Sequence, residues 1–241
     1  KLINSIKKRF SSVPIISGGE HITALTEYSF SSCEGLDFAI KGEGEDALLD
    51  FVTKLETDKK FHEIDSLCYR DGSEIKINGR LGRIRDLEGI PRPAWDLINL
   101  NPYHNAKNKG LGIDHGITMP ILASRGCPYR CTFCSSPFMW TTLWEARKPQ
   151  DVLDEINTYI NQYNASNFDF YDLTAIVKRD WIVEFCSLVI DSDYDFTWQL
   201  PSGTRSEVID KEVSALLYKS GCRNLNYAPE SGSDRVLKMI K

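Results

Sequence analysis

Apolar positions along the chain follow two rhythms. Short continuous runs predict strands, and runs repeating every three or four residues predict helices. Val13-Pro14-Ile15-Ile16-Ser17 is a strand-like run that leads into Gly18-Gly19. Leu36-Asp37-Phe38-Ala39-Ile40 is a second, ending in Gly42-Glu43-Gly44-Glu45. Leu48, Phe51, Val52 and Leu55 then share one helical face. Residues 1–57 therefore read as a strand–helix tail of an α/β domain.

Residues 58–117 break this rhythm and read as a connector. Tyr69-Arg70-Asp71-Gly72-Ser73-Glu74-Ile75 predicts a hairpin around Asp-Gly. Ile90-Pro91-Arg92-Pro93 stiffens the backbone against helix. Asn108 to Gly116 is rich in glycine and reads as mobile.

The rhythm resumes over residues 118–241. Strands are expected at Met119–Ala123, Phe168–Leu173, Phe196–Leu200 and Leu225–Ala228. Between them lie three amphipathic segments. The first opens at Pro149 and aligns Val152, Ile156, Tyr159, Ile160 and Tyr163. The second aligns Trp181, Phe185, Leu188 and Val189. The third aligns Val213, Leu216 and Leu217 and is closed by Gly221. Four strands with three crossovers predict an α/β fold with an opened or partial parallel β/α barrel. A last helix starts at Ser233 and the chain then stops, so a further strand is expected beyond it.

The chain has 241 residues, 41% hydrophobic and 26% charged, ordinary values for a globular protein with a sizeable core. A net charge of −5 gives no basic footprint for nucleic acid or an anionic membrane surface. No apolar run is long enough to span a membrane. Lys1-Leu2-Ile3-Asn4 has no apolar signal core, and the missing initiator Met suggests a cut edge. Seven cysteines, an odd number, do not read as a secreted disulfide framework, so a reducing cytoplasm is the expected setting.

Three of those cysteines crowd into Ser124-Arg125-Gly126-Cys127-Pro128-Tyr129-Arg130-Cys131-Thr132-Phe133-Cys134, with spacing Cys-x3-Cys-x2-Cys. Thiolates suit iron–sulfur clusters, and three from one loop hold three corners of a cubane, leaving one iron open to a ligand. The loop follows a strand, at the edge where α/β folds place their chemistry. A zinc site wants a fourth ligand. Cys68 and Cys186 are too distant in sequence, and His104 and His115 complete a site only by folding back. An electron-transfer cluster also wants a fourth cysteine. Buried structural thiols remain a further reading. Cys33, Cys68, Cys186 and Cys222 read as small core residues. Trp140 and Trp144, just past the loop, read either as a shield against water or as packing.

The spacing, the aromatic Phe133 before the last cysteine and the strand–loop context resemble the radical S-adenosylmethionine superfamily. The resemblance implies that Cys127, Cys131 and Cys134 ligate a 4Fe–4S cluster. The open iron is then chelated by the amino and carboxylate groups of S-adenosylmethionine, and Phe133 lies near the adenine. One electron from the cluster cleaves the sulfonium to methionine and a 5′-deoxyadenosyl radical, which takes a hydrogen atom from substrate.

The other strand ends carry polar residues. They are Tyr171-Asp172-Leu173-Thr174, Gln199-Leu200-Pro201-Ser202-Gly203-Thr204-Arg205 and Ala228-Pro229-Glu230-Ser231-Gly232-Ser233. A carboxylate suits an ammonium or ribose hydroxyls, and a guanidinium suits a carboxylate. The Glu-Ser-Gly-Ser turn resembles the cobalamin-associated branch of the superfamily, including anaerobic oxidative cyclases. That likeness implies cosubstrate contacts by Glu230 and Ser231, with Gln199, Ser202, Arg205 and Asp172 as further binding residues. Read by themselves, Asp172, Glu230 and Ser233 also suit helix capping, and Arg205 a surface charge.

Ile15-Ile16-Ser17-Gly18-Gly19-Glu20-His21 and the Gly42 to Glu45 stretch resemble the end of a Rossmann-like cobalamin-binding domain. There Gly18 and Gly19 would let the backbone approach the nucleotide tail. An ordinary strand-to-helix turn is the alternative. No Asp-x-His-x-x-Gly is present to supply a histidine to cobalt, and neither His21 nor His115 fits one. Cobalamin is thus expected in the full-length protein.

The expectation is an oxygen-sensitive radical enzyme performing methyl transfer, cyclisation or rearrangement on a small-molecule or biosynthetic intermediate. Flavodoxin or ferredoxin would supply the electron. A non-catalytic zinc or iron–sulfur module, or an inactive fragment, is the rival.

Overall fold

A computed structural model of the chain describes residues 1–79, 82–104, 116–205 and 207–240. The glycine-rich stretch read as mobile lies, but for Gly116, outside the described residues, as does His115. The chain divides into two compact units: Lys1–Ile84 with Phe138–Trp140, and Arg85–Pro137 with Thr141–Lys241.

In the first unit, α1 (Leu2–Arg9) precedes β1 (Ile16–Ser17), α2 (Glu20–Ala24), α3 (Thr26–Ser32), β2 (Phe38–Ile40) and α4 (Glu45–Glu56). The hairpin β3 (Leu67–Asp71) and β4 (Glu74–Ile77) follows. The sheet order is β1-β2-β3-β4, with β1 and β2 parallel and the rest antiparallel. Strand β1 is shorter than the run from Val13 suggests. Pro14 has no N–H for a ladder, and the Ile15 N–H donates instead to the Asp37 carboxylate at 2.7 Å. Gly72 takes φ +62° at the first turn position of the expected hairpin, as a type II′ turn requires. On α4 the expected apolar face is only partly used: Phe51 is buried, while Leu48 and Val52 are exposed. The helix covers a strand of three residues, which leaves room for few of its side chains. Phe51 packs there tilted against Phe38 (4.7 Å) and stacks with Phe61 (5.6 Å).

The second unit begins with α5 (Asn101–His104), β5 (Ile117–Ile121) and β6 (Ser124–Arg125). Next come α6 (Ser136–Trp140, whose last three residues count with the first unit) and β7 (Glu145–Ala146). Three helix crossovers follow: α7 (Pro149–Tyr163) to β8 (Ala165–Phe170), α8 (Arg179–Asp191) to β9 (Thr197–Thr204), and α9 (Lys211–Lys219) to β10 (Cys222–Tyr227). Helix α10 (Asp234–Ile240) is last. Strands β10-β9-β8-β5 form one parallel sheet, so the β/α arrangement expected from the sequence is present, as an open sheet of four described strands. Strand β9 runs four residues past the expected Leu200, because Thr204 pairs with Tyr227 beyond a register shift and the Asn226 amide donates to the Pro201 carbonyl at 2.7 Å.

Alternation along these strands sorts the two faces of the sheet. Phe168, Phe170, Trp198 and Leu200 join Val152, Ile156, Ile182, Phe185, Val213 and Leu217 of the helices in one core. Trp198 lies 5.1 Å from Phe170 and 5.5 Å from Phe185, with its indole N–H on the Ser220 carbonyl. The intervening positions Asn167, Asp169 and Gln199 are buried polar residues that bond to one another's strands. The Gln199 amide donates to Asp169 at 2.6 Å and accepts from Asn224 at 3.2 Å, and the Tyr171 hydroxyl donates to Asp169 at 3.2 Å. No helix among the described residues is long and apolar enough to cross a membrane.

Candidate functional site

The cysteine loop leaves the carboxyl end of β5, and two contacts fix its base. Strands β6 and β7 pair antiparallel, Ser124 with Ala146 and Arg125 with Glu145, closing residues 126–144 into one excursion. The Arg147 N–H donates to the Ala123 carbonyl (2.9 Å) and its guanidinium to the Leu122 carbonyl (2.9 Å). Glu155 holds the same guanidinium at 2.5 Å. Gly126 enters the loop at φ +86°, a region that favours glycine. The Cys134 N–H donates to the Cys131 carbonyl at 3.1 Å, making the turn that brings these two residues together. The Thr132 N–H donates to the Ile240 carbonyl at 3.0 Å, fastening the loop to α10.

Cys127, Cys131 and Cys134 are free thiols and half-buried. Each sulfur faces a donor from a different element. The Thr174 hydroxyl lies 3.4 Å from Cys127 Sγ, the Ser136 N–H 3.4 Å from Cys134 Sγ, and the Arg205 guanidinium 4.0 Å from Cys131 Sγ. By contrast, Cys68, Cys186 and Cys222 are buried as expected of core residues, and Cys33 is half-buried. Burial pushes the Cys186 thiol up to about 11 and Cys222 up to about 12, which keeps both protonated and inert at neutral pH.

Beside the loop is a cavity of about 440 Å³, within the size range of small-molecule sites. Cys131 and Phe133 line it, with Leu173 and Thr174 after β8, Ser202 to Thr204 on β9 and Arg205 just past it, Glu207, Tyr227 at the end of β10, and Ala228 to Glu230 after it. Leu237 and Ile240 of α10 close it. Of the residues expected at a cosubstrate site, Phe133, Ser202, Arg205 and Glu230 are therefore brought together. The Arg205 guanidinium stacks 3.9 Å over the Tyr129 ring and donates to Glu207 at 2.8 and 2.5 Å. That bond to Glu207 raises its already high pKa, so Arg205 is a fixed positive charge. Burial raises the Tyr129 and Tyr227 phenols, which stay neutral. Glu230 is exposed and adopts φ +61°.

The other expected residues lie elsewhere. Asp172 is wholly buried, accepting from the Ser124 hydroxyl (2.5 Å) and the Ala123 N–H (3.2 Å), so its carboxylate ties the exit of β8 to the entry of the cysteine loop. Burial pushes it up to about 6, against the bonds that hold the charge. Gln199 sits in the buried polar ladder. The Ser231 hydroxyl accepts from the Ser233 N–H at 3.1 Å. Trp144 donates to the Thr174 carbonyl at 2.9 Å. Gly18 and Gly19 belong to the first unit, with Gly19 at φ +94°. There the Gly42 N–H donates to Thr23 Oγ1 (2.9 Å), which itself donates to the Gly19 carbonyl (3.0 Å). The two glycine turns are thus joined at the carboxyl ends of parallel β1 and β2, the edge where α/β sheets bind ligands. Glu43 of the second turn accepts from the Ile84 N–H at 2.6 Å and pairs with Arg83 at 3.2 Å. Sequence reasoning missed Tyr129, Thr174, Glu207 and Tyr227. Tyr129, Thr174 and Tyr227 matter through neighbours distant in sequence, and Glu207 through Arg205 two residues before it.

The donor set can be tested against a metal. Among the described residues, no three His, Cys, Asp or Glu side chains gather closely enough for a single ion. A lone zinc needs its sulfurs about 2.3 Å from one point. A cubane takes each thiolate at a different iron and so holds the sulfurs apart, and cysteine thiolates are its usual protein ligands. Three free cysteines, each facing a hydrogen-bond donor, fit that demand.

The chain resembles known proteins along its whole length. It is 25% identical over 226 residues to an uncharacterized methyltransferase of Pyrococcus horikoshii, covering 94% of this chain and 47% of that protein. It is 27% identical over 230 residues to the anaerobic magnesium-protoporphyrin IX monomethyl ester cyclase of Cereibacter sphaeroides, covering 93% and 36%. The chain thus spans about half, or less, of the length of these relatives. In fold it matches OxsB, a cobalamin-dependent S-adenosylmethionine radical enzyme solved with aqua-cobalamin and S-adenosylmethionine, with TM-score 0.77, 20% identity, and 99% of this chain against 34% of that one. The radical S-adenosylmethionine methyltransferase TsrM of Kitasatospora setae matches with TM-score 0.76 and 19% identity, over 98% of this chain and 45% of that one. Residues 121–241, half of the chain and all of the cysteine loop, match the Radical SAM superfamily, and to that superfamily the chain belongs.

Proposed function

We propose that this chain carries the catalytic core of a radical S-adenosylmethionine enzyme, in which Cys127, Cys131 and Cys134 hold a 4Fe–4S cluster. The observation that carries this reading is three free, half-buried cysteines in one loop, with Cys131 opening onto a cavity of about 440 Å³ at the carboxyl end of a parallel sheet. When bound, the cluster would supply the electron that cleaves S-adenosylmethionine and starts radical chemistry on substrate. The protein's part is to bind, orient and exclude water. Arg205 and Glu230 place a positive and a negative group on one cavity, which suits the carboxylate and ammonium of a zwitterion. Phe133 offers an apolar face for the adenine, and Ser202 a hydroxyl for the ribose. Asp172, Gln199 and Ser231 act one step back, as positioning residues of the strand ends.

The same reading assigns residues 1–57 to the end of a cobalamin-binding Rossmann-like domain. Residues 58–117 connect it to the radical domain at 118–241. The joined turns at Gly18-Gly19 and Gly42 support a cobalamin edge in the full-length protein. The reaction is methyl transfer or oxidative cyclisation of a small molecule in the cytoplasm, with flavodoxin or ferredoxin as electron donor. The relatives' printed activities favour these two outcomes.

The test is anaerobic reconstitution. About four irons and matching sulfide per chain, with brown charge-transfer absorption, are expected. Cys127→Ala, Cys131→Ala or Cys134→Ala should each abolish or cripple that absorption, while Cys33→Ala, Cys68→Ala, Cys186→Ala and Cys222→Ala keep it. Stoichiometric zinc without iron, or wild-type iron in Cys131→Ala, would overturn the reading.

A further inference from the structure

We propose that the Thr174 hydroxyl is a positioning donor to the Cys127 thiolate that sets the reduction potential of the cluster; this rests on the cluster reading above. Of the three donors that face the cysteines, the Ser136 N–H is backbone that any residue supplies, and Arg205 is shared with Glu207 at the limit of reach. Thr174 is the one whose side chain is both close and dispensable to the backbone, at 3.4 Å from Cys127 Sγ. It is buried, and its carbonyl is held by the Trp144 indole N–H (2.9 Å). Its β-branched side chain is stiff, so the hydroxyl stays near the sulfur.

A hydroxyl has one proton, and Thr174 Oγ1 also lies 2.8 Å from the Leu173 carbonyl. A thiolate draws that proton more strongly than a neutral carbonyl does, because the bond becomes charge-assisted. Reduction moves one electron from an external reductant onto the cluster and increases the negative charge on its sulfurs. A donor at Cys127 therefore stabilises the reduced form and raises the potential, since hydrogen bonds to the sulfurs are one determinant of cluster potentials. The Thr174 main-chain bond does not depend on the hydroxyl, so its removal should leave the loop in place.

The experiment uses wild-type chain and the variants Thr174→Val, Thr174→Ala and Thr174→Ser, reconstituted anaerobically and titrated with dithionite under electron paramagnetic resonance. S-adenosylmethionine is left out. At the poise where wild type is half reduced, Thr174→Val and Thr174→Ala should show a reduced-to-oxidised ratio lower by roughly three- to tenfold, tenfold being about 59 mV for a one-electron couple. Thr174→Ser should match wild type. A wild-type ratio in both Val and Ala variants means the proton stays on the Leu173 carbonyl and overturns the inference, with the cluster reading intact. If both variants fold but take up no iron, Thr174 serves assembly and the tuning role falls. If wild type itself binds no four-iron cluster, the cluster reading fails and takes this inference with it.

Discussion

Glu230 occupies the left-handed region at φ +61°, which costs a residue with a β-carbon about 1–3 kcal/mol. It is exposed and lines the cavity, so a carboxylate there contributes no burial to the fold. Charge-assisted bonds to a cosubstrate are worth about 1.5–3 kcal/mol each. Glu230→Gln should therefore weaken S-adenosylmethionine binding by roughly tenfold to a hundredfold, while iron content and melting temperature stay at wild-type values. A lower melting temperature with unchanged binding would mark a helix-capping residue instead. Asp172 has the opposite character: buried, fully bonded and committed to the backbone. Burial lifts its pKa from the ordinary 3.8 to about 6, so the folded state takes up a proton before the unfolded chain does. Its charged form burdens the fold above pH 6, and the burden lifts as pH falls from about 6 toward 3.8. The stability of wild type relative to Asp172→Asn should therefore improve by up to about 3 kcal/mol between pH 7 and pH 4, measured by urea unfolding. A flat difference would show that Asp172 titrates alike in both states.

At the scale of elements, the α9–β10 junction depends on one residue. Gly221 ends α9 at φ +90°, and a β-carbon there would meet the Phe196 carbonyl at 2.5 Å, a backbone atom that cannot step aside. The Gly221 carbonyl also accepts from the Trp198 N–H at 3.1 Å, so the turn sets the register between β9 and β10. Gly221→Ala should cost about 2–4 kcal/mol and lower the melting temperature by several degrees. The glycine was legible as a helix stop because the periodicity of Val213, Leu216 and Leu217 ends just before it. The extension of β9 to Thr204 was not legible, since it depends on pairing with Tyr227 and on the Asn226 side chain. Likewise, periodicity placed Leu48 and Val52 beside Phe51 on one face of α4, but the width of the strand beneath decided which were buried.

For the whole molecule, the second unit is one continuous core built on Trp198, Phe170 and Phe185. Phe185 touches both of the others and Trp181, which stacks on it at 5.5 Å. Phe185→Ala should cost about 3–5 kcal/mol in denaturant unfolding, and a cost below 1 kcal/mol would mean that the core closes over the gap. The alternation of strands and amphipathic helices that builds this core is local information, and so is the Cys-x3-Cys-x2-Cys spacing. Both are written within a few residues of each other, and backbone geometry converts them directly into elements and a cysteine-bearing loop. The sequence by itself therefore determined the parallel β/α arrangement, the cysteine loop and the strand ends on which polar residues fall. Which of those polar residues face the cavity was decided only by tertiary structure. Asp172 and Gln199 were drawn into buried hydrogen bonds with Ser124, Ala123, Asp169 and Asn224, whereas Arg205 and Glu230 remained at the cavity. Thr174 was placed against Cys127, 47 residues away, by the pairing of β5 with β8. Such choices depend on which strands become neighbours and on the desolvation cost of leaving a buried polar group unbonded, and neither is encoded in local periodicity or spacing.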